Sequence, residues 1–284
     1  MRFGMHMTQK GGFVKNVQRA AALGCQTLQV FIGSPTSWNA PRLEPAEIDR
    51  RRRVLQECAI EPLVIHTAYL VNLATQKKEF HEKSCLLLQQ TLRNAHLLGA
   101  PYVVLHVGSH VGSGFQEGMD LFISTLQEMV TNIPPGVELL LENTAGAGTS
   151  LGGSFITIGK ILQSLGPGVP LGVCLDTAHA WAYGYDLAGP AGLQDTMAEI
   201  GRHFGREKIK VVHFNDSSTP RGSRRDRHAH LGEGLIGTAG LKGFLHYPWP
   251  EEMPVILETP EAGTDWDAIN LSHLRSYAGE PSPS

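Results

Sequence analysis

Short apolar runs that end abruptly at a polar residue recur along the whole chain. Six of these runs stop at a histidine, an aspartate or a glutamate, namely His66, His106, Glu142, Asp176, His213 and Glu258. Runs this short and rich in β-branched residues are typical of strands that are buried on both faces of a parallel sheet. The pattern therefore predicts a parallel sheet in which six strands carry a potential metal ligand at their carboxyl ends.

Strand-like and helix-like segments alternate from one end of the chain to the other. Predicted strands cover residues 2–6, 27–31, 62–66, 102–106, 138–142, 171–176, 209–214 and 254–258. Helical composition or spacing covers residues 14–23, 45–59, 78–98, 118–131, 155–164, 192–204 and 265–277. This alternation predicts an α/β fold, a single (β/α)8 TIM barrel over residues 1–284, with a frayed tail at 280–284.

The composition supports one large domain and narrows the class of protein. Of the 284 residues, 42% are hydrophobic and 18% are charged, which is enough to bury a large core. A net charge of −3 argues against a broad basic coat, although a local positive area stays possible around bound cations. The four scattered cysteines indicate reduced thiols, and no signal peptide or apolar run of about 18 residues is present. We therefore expect a cytoplasmic, intracellular protein that contacts no membrane.

Further potential ligands accompany the six strand ends. His179 follows Asp176 by three residues, a spacing that lets both side chains reach one pocket from a strand-to-loop turn. Asp226 and His228 flank Arg227 in a long polar loop before the last strand, and alternate residues of extended chain point the same way. One divalent ion needs about four ligands, so nine residues suit two or three ions. Zinc fits this mixture of imidazole and carboxylate, and manganese or iron could also occupy it.

A single histidine or aspartate at a strand end is about as often a capping or packing residue as a ligand. Six strand ends of one barrel meet at the same rim, however, and this convergence favours a metal centre. The role of His6, at the end of the first strand, stays open, and His110 and His230 are assigned to support of the ligands. Arginines are concentrated beside Asp226 and His228, and their guanidinium groups suit a phosphodiester substrate.

Several segments match signature sequences of the endonuclease IV family. They are residues 141–146, 173–180, 213–217, 222–228 and 231–237. The similarity extends from about Phe3 to about Tyr277, and the chain therefore resembles that family over nearly its whole length. The resemblance implies a DNA-repair enzyme that hydrolyses the phosphodiester 5′ to an abasic site and leaves a 3′-hydroxyl and a 5′-deoxyribose phosphate. It also implies trimming of blocked 3′ ends, double-stranded DNA as the partner, and a monomer that acts at the nucleoid.

The resemblance further implies about three zinc ions per chain. His66 and His106 would hold the first, and Glu142, the catalytic residue in this scheme, would bridge it to the second. The remaining ligands would be Asp176, His213 and Glu258 on the second zinc, and His179, Asp226 and His228 on the third. A hydroxide shared by the first two ions would then attack phosphorus.

Four residues are expected at the DNA interface. Tyr69 and Leu70 match family residues that enter the minor groove, where apolar side chains unstack and kink the duplex. Arg227 is expected to contact DNA from the long loop. The family usually carries an arginine two residues before Trp38, and this chain has Thr36 there, which predicts a weaker hold on DNA at the lesion.

Two other functions are compatible with parts of the pattern. A sugar isomerase or epimerase with the same barrel would bind one or two divalent ions, but would not need His179, Asp226 and His228. A non-catalytic protein that shields abasic DNA would need no cluster that activates water. The number of bound metal ions separates these alternatives.

Overall fold

The computed structural model of the chain describes residues 1–8, 10–39 and 41–280. In this part of the chain, eight parallel strands form a closed barrel. They are β1 (Arg2–His6), β2 (Thr27–Val30), β3 (Leu63–His66), β4 (Tyr102–His106), β5 (Glu138–Glu142), β6 (Leu171–Asp176), β7 (Ile209–His213) and β10 (Pro254–Leu257). A two-stranded antiparallel hairpin, β8 (Asp216–Ser217) and β9 (His228–Ala229), lies outside the barrel. The predicted TIM barrel is confirmed, and each predicted strand is present to within a residue at either end.

The strands are joined by helices. These are α1 (Phe13–Ala22), α2 (Pro45–Glu57), α3 (Lys78–Leu98), α4 (Phe115–Val130), α5 (Phe155–Leu165), α6 (Thr177–Tyr183), α7 (Pro190–His203), α8 (Gly237–Leu245) and α9 (Trp266–Ala278). All seven predicted helices are present, although α4 starts three residues before the predicted residue 118. The sequence patterns missed α6, which follows a strand without a linker, and α8, whose three glycines lower its helix propensity.

The barrel interior contains a layer of apolar side chains from six strands. These side chains are Val64, Val104, Leu140, Cys174, Val211 and Ile256, and all are fully buried. Each lies two residues before one of the six polar strand ends, and alternate residues of a strand point to the same face. The apolar layer therefore directs His66, His106, Glu142, Asp176, His213 and Glu258 into the barrel at its carboxyl-end rim.

The second core lies between the barrel and the helices, where Phe3, Phe122, Phe155, Phe214 and Phe244 are fully buried. The four cysteines are unpaired thiols, as predicted. Burial raises the pKa of Cys25 and of Cys174 to about 12, so both are neutral packing residues at pH 7. Residues 281–284 of the predicted tail lie outside the described residues. None of the helices in the described ranges is long and apolar enough to cross a membrane.

Candidate metal centre

Each of seven strands, and the residue directly after β10, contributes one polar side chain to the rim layer. The eight side chains are His6, Gln29, His66, His106, Glu142, Asp176, His213 and Glu258. The sequence analysis missed Gln29, which is fully buried on β2 between Leu28 and Val30. The sequence does contain a signal for it, since Gln29 is a polar residue inside a predicted buried strand. Such a residue needs hydrogen-bond partners in the interior of the protein.

Glu142 lies at the centre of two groups of possible ligands. Its Oε2 atom is 3.0 Å from His66 Nε2 and 2.9 Å from His106 Nε2. Its Oε1 atom is 3.0 Å from His213 Nδ1, which in turn is 3.2 Å from Glu258 Oε2. The two oxygens therefore face different histidines, which is the arrangement that a bridging carboxylate requires.

Asp176 joins the second group to a third. It lies with Glu142, His213 and Glu258 in one set of converging ligand atoms, and with His179 and His228 in another. Its Oδ2 atom is 3.9 Å from His213 Nδ1 and 3.8 Å from His228 Nε2. The family resemblance implied Asp176 for the second group alone, and the structure adds its contact with the third.

The third group is assembled from a helix and a loop. His179 lies in the first turn of α6 rather than in the strand-to-loop turn that the spacing suggested, because Asp176 caps this helix by accepting a 2.6 Å hydrogen bond from the His179 N–H. Asp226 reaches both imidazoles of the group, with Oδ2 3.2 Å from His179 Nε2 and Oδ1 3.2 Å from His228 Nε2. The structure thus brings all nine predicted ligands together at the rim.

The orientation of the imidazoles fits divalent cations. The Nδ1 atoms of His66, His179 and His228 donate to the carbonyl oxygens of Thr67, Asn143 and Glu258, at 2.7, 2.9 and 2.8 Å. Each ring therefore directs its Nε2 atom towards the cluster, where a cation could replace a proton on it. Nε2 of His228 is buried and forms no hydrogen bond of normal geometry with the described residues. A buried nitrogen that lacks such a hydrogen bond and lies among carboxylate oxygens is suited to be a ligand of a zinc-class ion.

The charges of the cluster also favour the binding of cations. Burial opposes ionisation of Glu142, but His106 and His213 outweigh it and hold the pKa of this carboxyl well below its usual range. Burial alone would lower the pKa of His179 and His228, but the carboxylates of Asp176 and Asp226 together outweigh it. The pKa of His228 rises to about 9 and that of His179 lies well above its usual value. The ionised carboxylates therefore require positive charge close to them. Protons on the imidazoles supply this charge when no divalent cation is bound.

A cavity of about 430 Å³ opens above the cluster. Its apolar wall is formed by Met7, Phe31, Pro35 and Tyr69. Tyr69 is 60% exposed, and its ring contacts the Phe31 ring edge-on at a centroid distance of 5.1 Å. Leu70 beside it is half-buried. Tyr69 thus lies at the rim of the cavity with much of its surface open to solvent.

The other two predicted DNA-contact residues are also exposed on rim loops. Thr36 lies in a loop that the Tyr69 N–H ties down through a 3.0 Å hydrogen bond to the Pro35 carbonyl oxygen. Arg227 donates from Nη1 to its neighbour's carbonyl oxygen, that of Asp226, at 2.7 Å. Both side chains are therefore available to a partner next to the cavity.

Two histidines singled out in the sequence, and one arginine of the long polar loop, have local roles instead. The His110 ring accepts hydrogen bonds from the N–H groups of Gly112 and Gly114, and so shapes the loop before α4. His230 stacks on Trp266 at 3.6 Å and contacts Asn270. Arg221 forms an ion pair with Asp186 at 2.5 Å. The partners of the two histidines belong to the loop before α4 and to α9 and are none of the nine ligands, so the expected support of the ligands by His110 and His230 was wrong.

Comparison with known proteins first defines the class. Residues 17–277 match the family model described as the xylose isomerase-like TIM barrel. A D-tagatose 3-epimerase-like protein has a similar structure, with a TM-score of 0.72 and coverage of 98% of this chain and 97% of that one. At 19% sequence identity this likeness shows the fold alone. The chain is therefore an α/β barrel of this class with a cluster of potential metal ligands at its rim.

More similar proteins then define the family. A probable endonuclease 4 of Natranaerobius thermophilus is 44% identical over 279 residues, which cover 98% of each chain. The crystal structure of endonuclease IV from Thermus thermophilus has a TM-score of 0.84 and 38% identity, and the match covers 99% of this chain and 100% of that one. The chain belongs to the endonuclease IV family.

Proposed function

We propose that this protein is a metal-dependent endonuclease of DNA repair. It hydrolyses the phosphodiester on the 5′ side of an abasic site in double-stranded DNA, leaves a 3′-hydroxyl and a 5′-deoxyribose phosphate, and also trims blocked 3′ ends. We further propose that it acts inside the cell as a monomer. The observation that carries this proposal is the joining of three ligand groups through Glu142 and Asp176 beneath one cavity, in a chain of the endonuclease IV family.

Nine side chains would hold about three divalent ions, and zinc fits their chemistry well. The first group would be His66, His106 and Glu142, the second Glu142, Asp176, His213 and Glu258, and the third Asp176, His179, Asp226 and His228. Manganese or iron would also suit part of this donor set. When bound, such ions would activate water and neutralise the charge of the phosphate.

The residues of the chain supply position and access. Glu142 is completely buried, so its two oxygens keep the first and second groups at a fixed separation. Met7 and Phe31 belong to the apolar wall of the cavity, and this wall would help to exclude water from the cluster when DNA covers it. Tyr69 and Leu70 would enter the minor groove at the lesion, and Arg227 would contact the phosphate backbone. A nucleotide without a base loses little stacking when it leaves the helix, which favours an abasic site.

The same barrel occurs in proteins that act on sugars, so the fold does not decide between a nuclease and an epimerase. The third group is the feature that favours the nuclease. Asp226 and His228 lie on the long segment between β7 and α8, and both contact the cluster rather than solvent alone. A centre that handles a single sugar needs no such extension, whereas a phosphodiester requires stabilisation of both attacking and departing oxygens.

The test is incision of a labelled duplex that contains one abasic site. We expect one cut on the 5′ side of the lesion, its loss after treatment with a chelator and its return on addition of zinc. A duplex without the lesion and a Glu142→Gln protein purified in parallel are the controls, and the variant excludes a contaminating nuclease. If the zinc-loaded protein leaves the abasic duplex intact, the proposed function is wrong.

A further inference from the structure

Gln29 makes hydrogen bonds with every polar atom of its side chain. Its Oε1 atom is 2.8 Å from His213 Nε2, and its Nε2 atom is 2.7 Å from Glu258 Oε1 and 2.8 Å from His6 Nδ1. The side chain is completely buried. Three strands of the barrel therefore meet at one neutral amide, and two of its three partners belong to the second ligand group.

The contact with Glu258 determines which way the amide faces. A carboxylate oxygen only accepts hydrogen bonds, so the Gln29 NH₂ group must face Glu258 and the carbonyl oxygen must face His213. The opposite orientation would place two acceptors 2.7 Å apart. The His213 ring must consequently carry a proton on Nε2, which it donates to Gln29 Oε1.

This proton position decides which atom of His213 is available to a cation. With Nε2 occupied, Nδ1 faces Glu142 Oε1 at 3.0 Å and Glu258 Oε2 at 3.2 Å. The same amide holds Glu258 through Oε1 and leaves its Oε2 directed towards the cluster. The Nδ1 atom of His6 accepts the second N–H of the amide, so every polar atom of the Gln29 side chain has a hydrogen-bond partner. A different orientation of the amide would lose these hydrogen bonds.

We propose that Gln29 is a positioning residue of the metal centre, which holds His213 in its Nε2–H tautomer and orients Glu258 so that the second group is arranged for a divalent ion. The inference rests on the proposed function, because it assumes that this group binds metal. It gives the strand β2 a role in the metal centre. Phe31, which directly follows β2, lines the cavity above that centre.

Two substitutions separate hydrogen bonding from packing. Gln29→Met keeps the length and volume of the side chain and removes its polar atoms, and we expect about ten- to a hundredfold weaker affinity for one of the bound zinc ions. Gln29→Glu keeps the shape and the acceptor for His213 but sets a second carboxylate against Glu258. We expect it to bind that ion more weakly than the wild-type protein does, because the two carboxylates repel each other and Glu258 loses its orientation. A packing role alone would leave Gln29→Met equal to wild type.

Gln26→Met is the matched control. Gln26 precedes the same strand at its other end, where its Oε1 atom accepts a hydrogen bond from the Phe3 N–H. We expect this variant to bind zinc as the wild-type protein does. Zinc affinity is measured by competition with a fluorescent chelator, and cobalt substitution reports the geometry of the affected site in its visible spectrum. In cleavage assays with abasic duplex, Gln29→Met should lower kcat and leave KM unchanged.

The wild-type protein provides a test that needs no variant to fold. In the zinc-loaded protein with ¹⁵N-labelled histidine, NMR should show the His213 proton on Nε2, with slow exchange against solvent. A proton on Nδ1 would overturn the proposal, and so would equal zinc affinity of Gln29→Met and wild type at every site. A wild-type protein that binds no divalent ion would instead contradict the proposed function, so the two failures are distinct.

Discussion

At the scale of single residues, Glu142 has the most constrained position in the centre. Its two oxygens face three imidazoles, and each oxygen-to-nitrogen distance is 3.0 Å or less. The side chain has no exposed surface. A buried carboxylate in such surroundings stays ionised only while positive charge remains on both sides. Its charge is therefore the property that a substitution should change.

We expect Glu142→Gln to lower strand cleavage by at least about a thousandfold, on the scale of losing a key electrostatic group. A neutral amide cannot bridge two cations, and its NH₂ group would face an imidazole nitrogen. Affinity for abasic duplex should change much less, since Tyr69, Leu70 and Arg227 are untouched. Single-turnover cleavage and fluorescence anisotropy measure the two effects. Glu138→Gln, at the other end of β5, is the control, and near-normal turnover of Glu142→Gln would remove Glu142 from the bridging role.

Thr36 is the residue at which this chain departs from the family pattern. We expect Thr36→Arg to bind abasic duplex more tightly and to steepen the dependence of log affinity on log salt by about one unit, because the new cation would enter a groove of negative potential. The chemical step at saturating protein should change little. Titrations at several salt concentrations test this, with Thr131→Arg at the end of α4 as a remote control. Equal affinities and slopes would mean that Tyr69 and Leu70 act alone at the lesion.

At the scale of elements, the short helix α6 holds the loop that carries Asp226 and His228. Trp181 Nε1 donates to the Thr219 carbonyl oxygen at 2.9 Å, and the Arg224 N–H donates to the Ala182 carbonyl oxygen at 2.9 Å. The Arg224 guanidinium also lies over the Tyr183 ring, at 3.5 Å from its centroid. One helix thus places His179 at its start and fixes the loop along its side.

We expect Tyr183→Leu to weaken binding of one zinc ion by about two- to fivefold, which corresponds to the loss of a cation–π contact of about 0.5–1 kcal/mol at an exposed site. Tyr183→Phe keeps an aromatic face for Arg224 and should bind zinc as the wild-type protein does. Chelator competition measures both variants. Identical affinities of Tyr183→Leu and Tyr183→Phe would show that backbone hydrogen bonds alone hold the loop.

At the scale of the whole molecule, loading with metal should be coupled to release of protons. The pKa of His228 is raised to about 9, so this imidazole holds an extra proton at pH 7 in the metal-free protein. The pKa values of His179 and His213 are shifted in the same direction, which favours protons on these rings as well. A cation must displace these protons, so apparent zinc affinity should rise with pH up to about 9 and fall as pH decreases.

Elemental analysis and calorimetry test this expectation together. We expect about three zinc-class ions per chain and net proton release at pH 7, seen as a binding enthalpy that depends on the ionisation enthalpy of the buffer. A reproducible content of one ion would favour the sugar isomerase alternative. Binding without proton release would show that the metal-free histidines are neutral.

The barrel and six of its rim side chains could be predicted because they follow local rules. A buried parallel strand is apolar on both faces, so a histidine or carboxylate at its end is conspicuous in the sequence. The helix α6 was not predictable in this way, since His179 follows Asp176 with no break in the apolar pattern. Gln29 was missed because its amide is uncharged and is not an expected metal ligand. Its three partners also lie far from it in the sequence, so no local pattern connects them.

The sequence by itself determined the fold, the family and the nine candidate ligands, because alternation of strands and helices and the signature segments are properties of neighbouring residues. Only the tertiary structure decided that Asp176 contacts two ligand groups, that Arg224 is engaged by Tyr183, and that Gln29 orients His213 and Glu258. These relations depend on distances of about 3–4 Å between residues from different strands and loops. Such distances are set by closure of the barrel and by the packing of its loops, and no local pattern contains them.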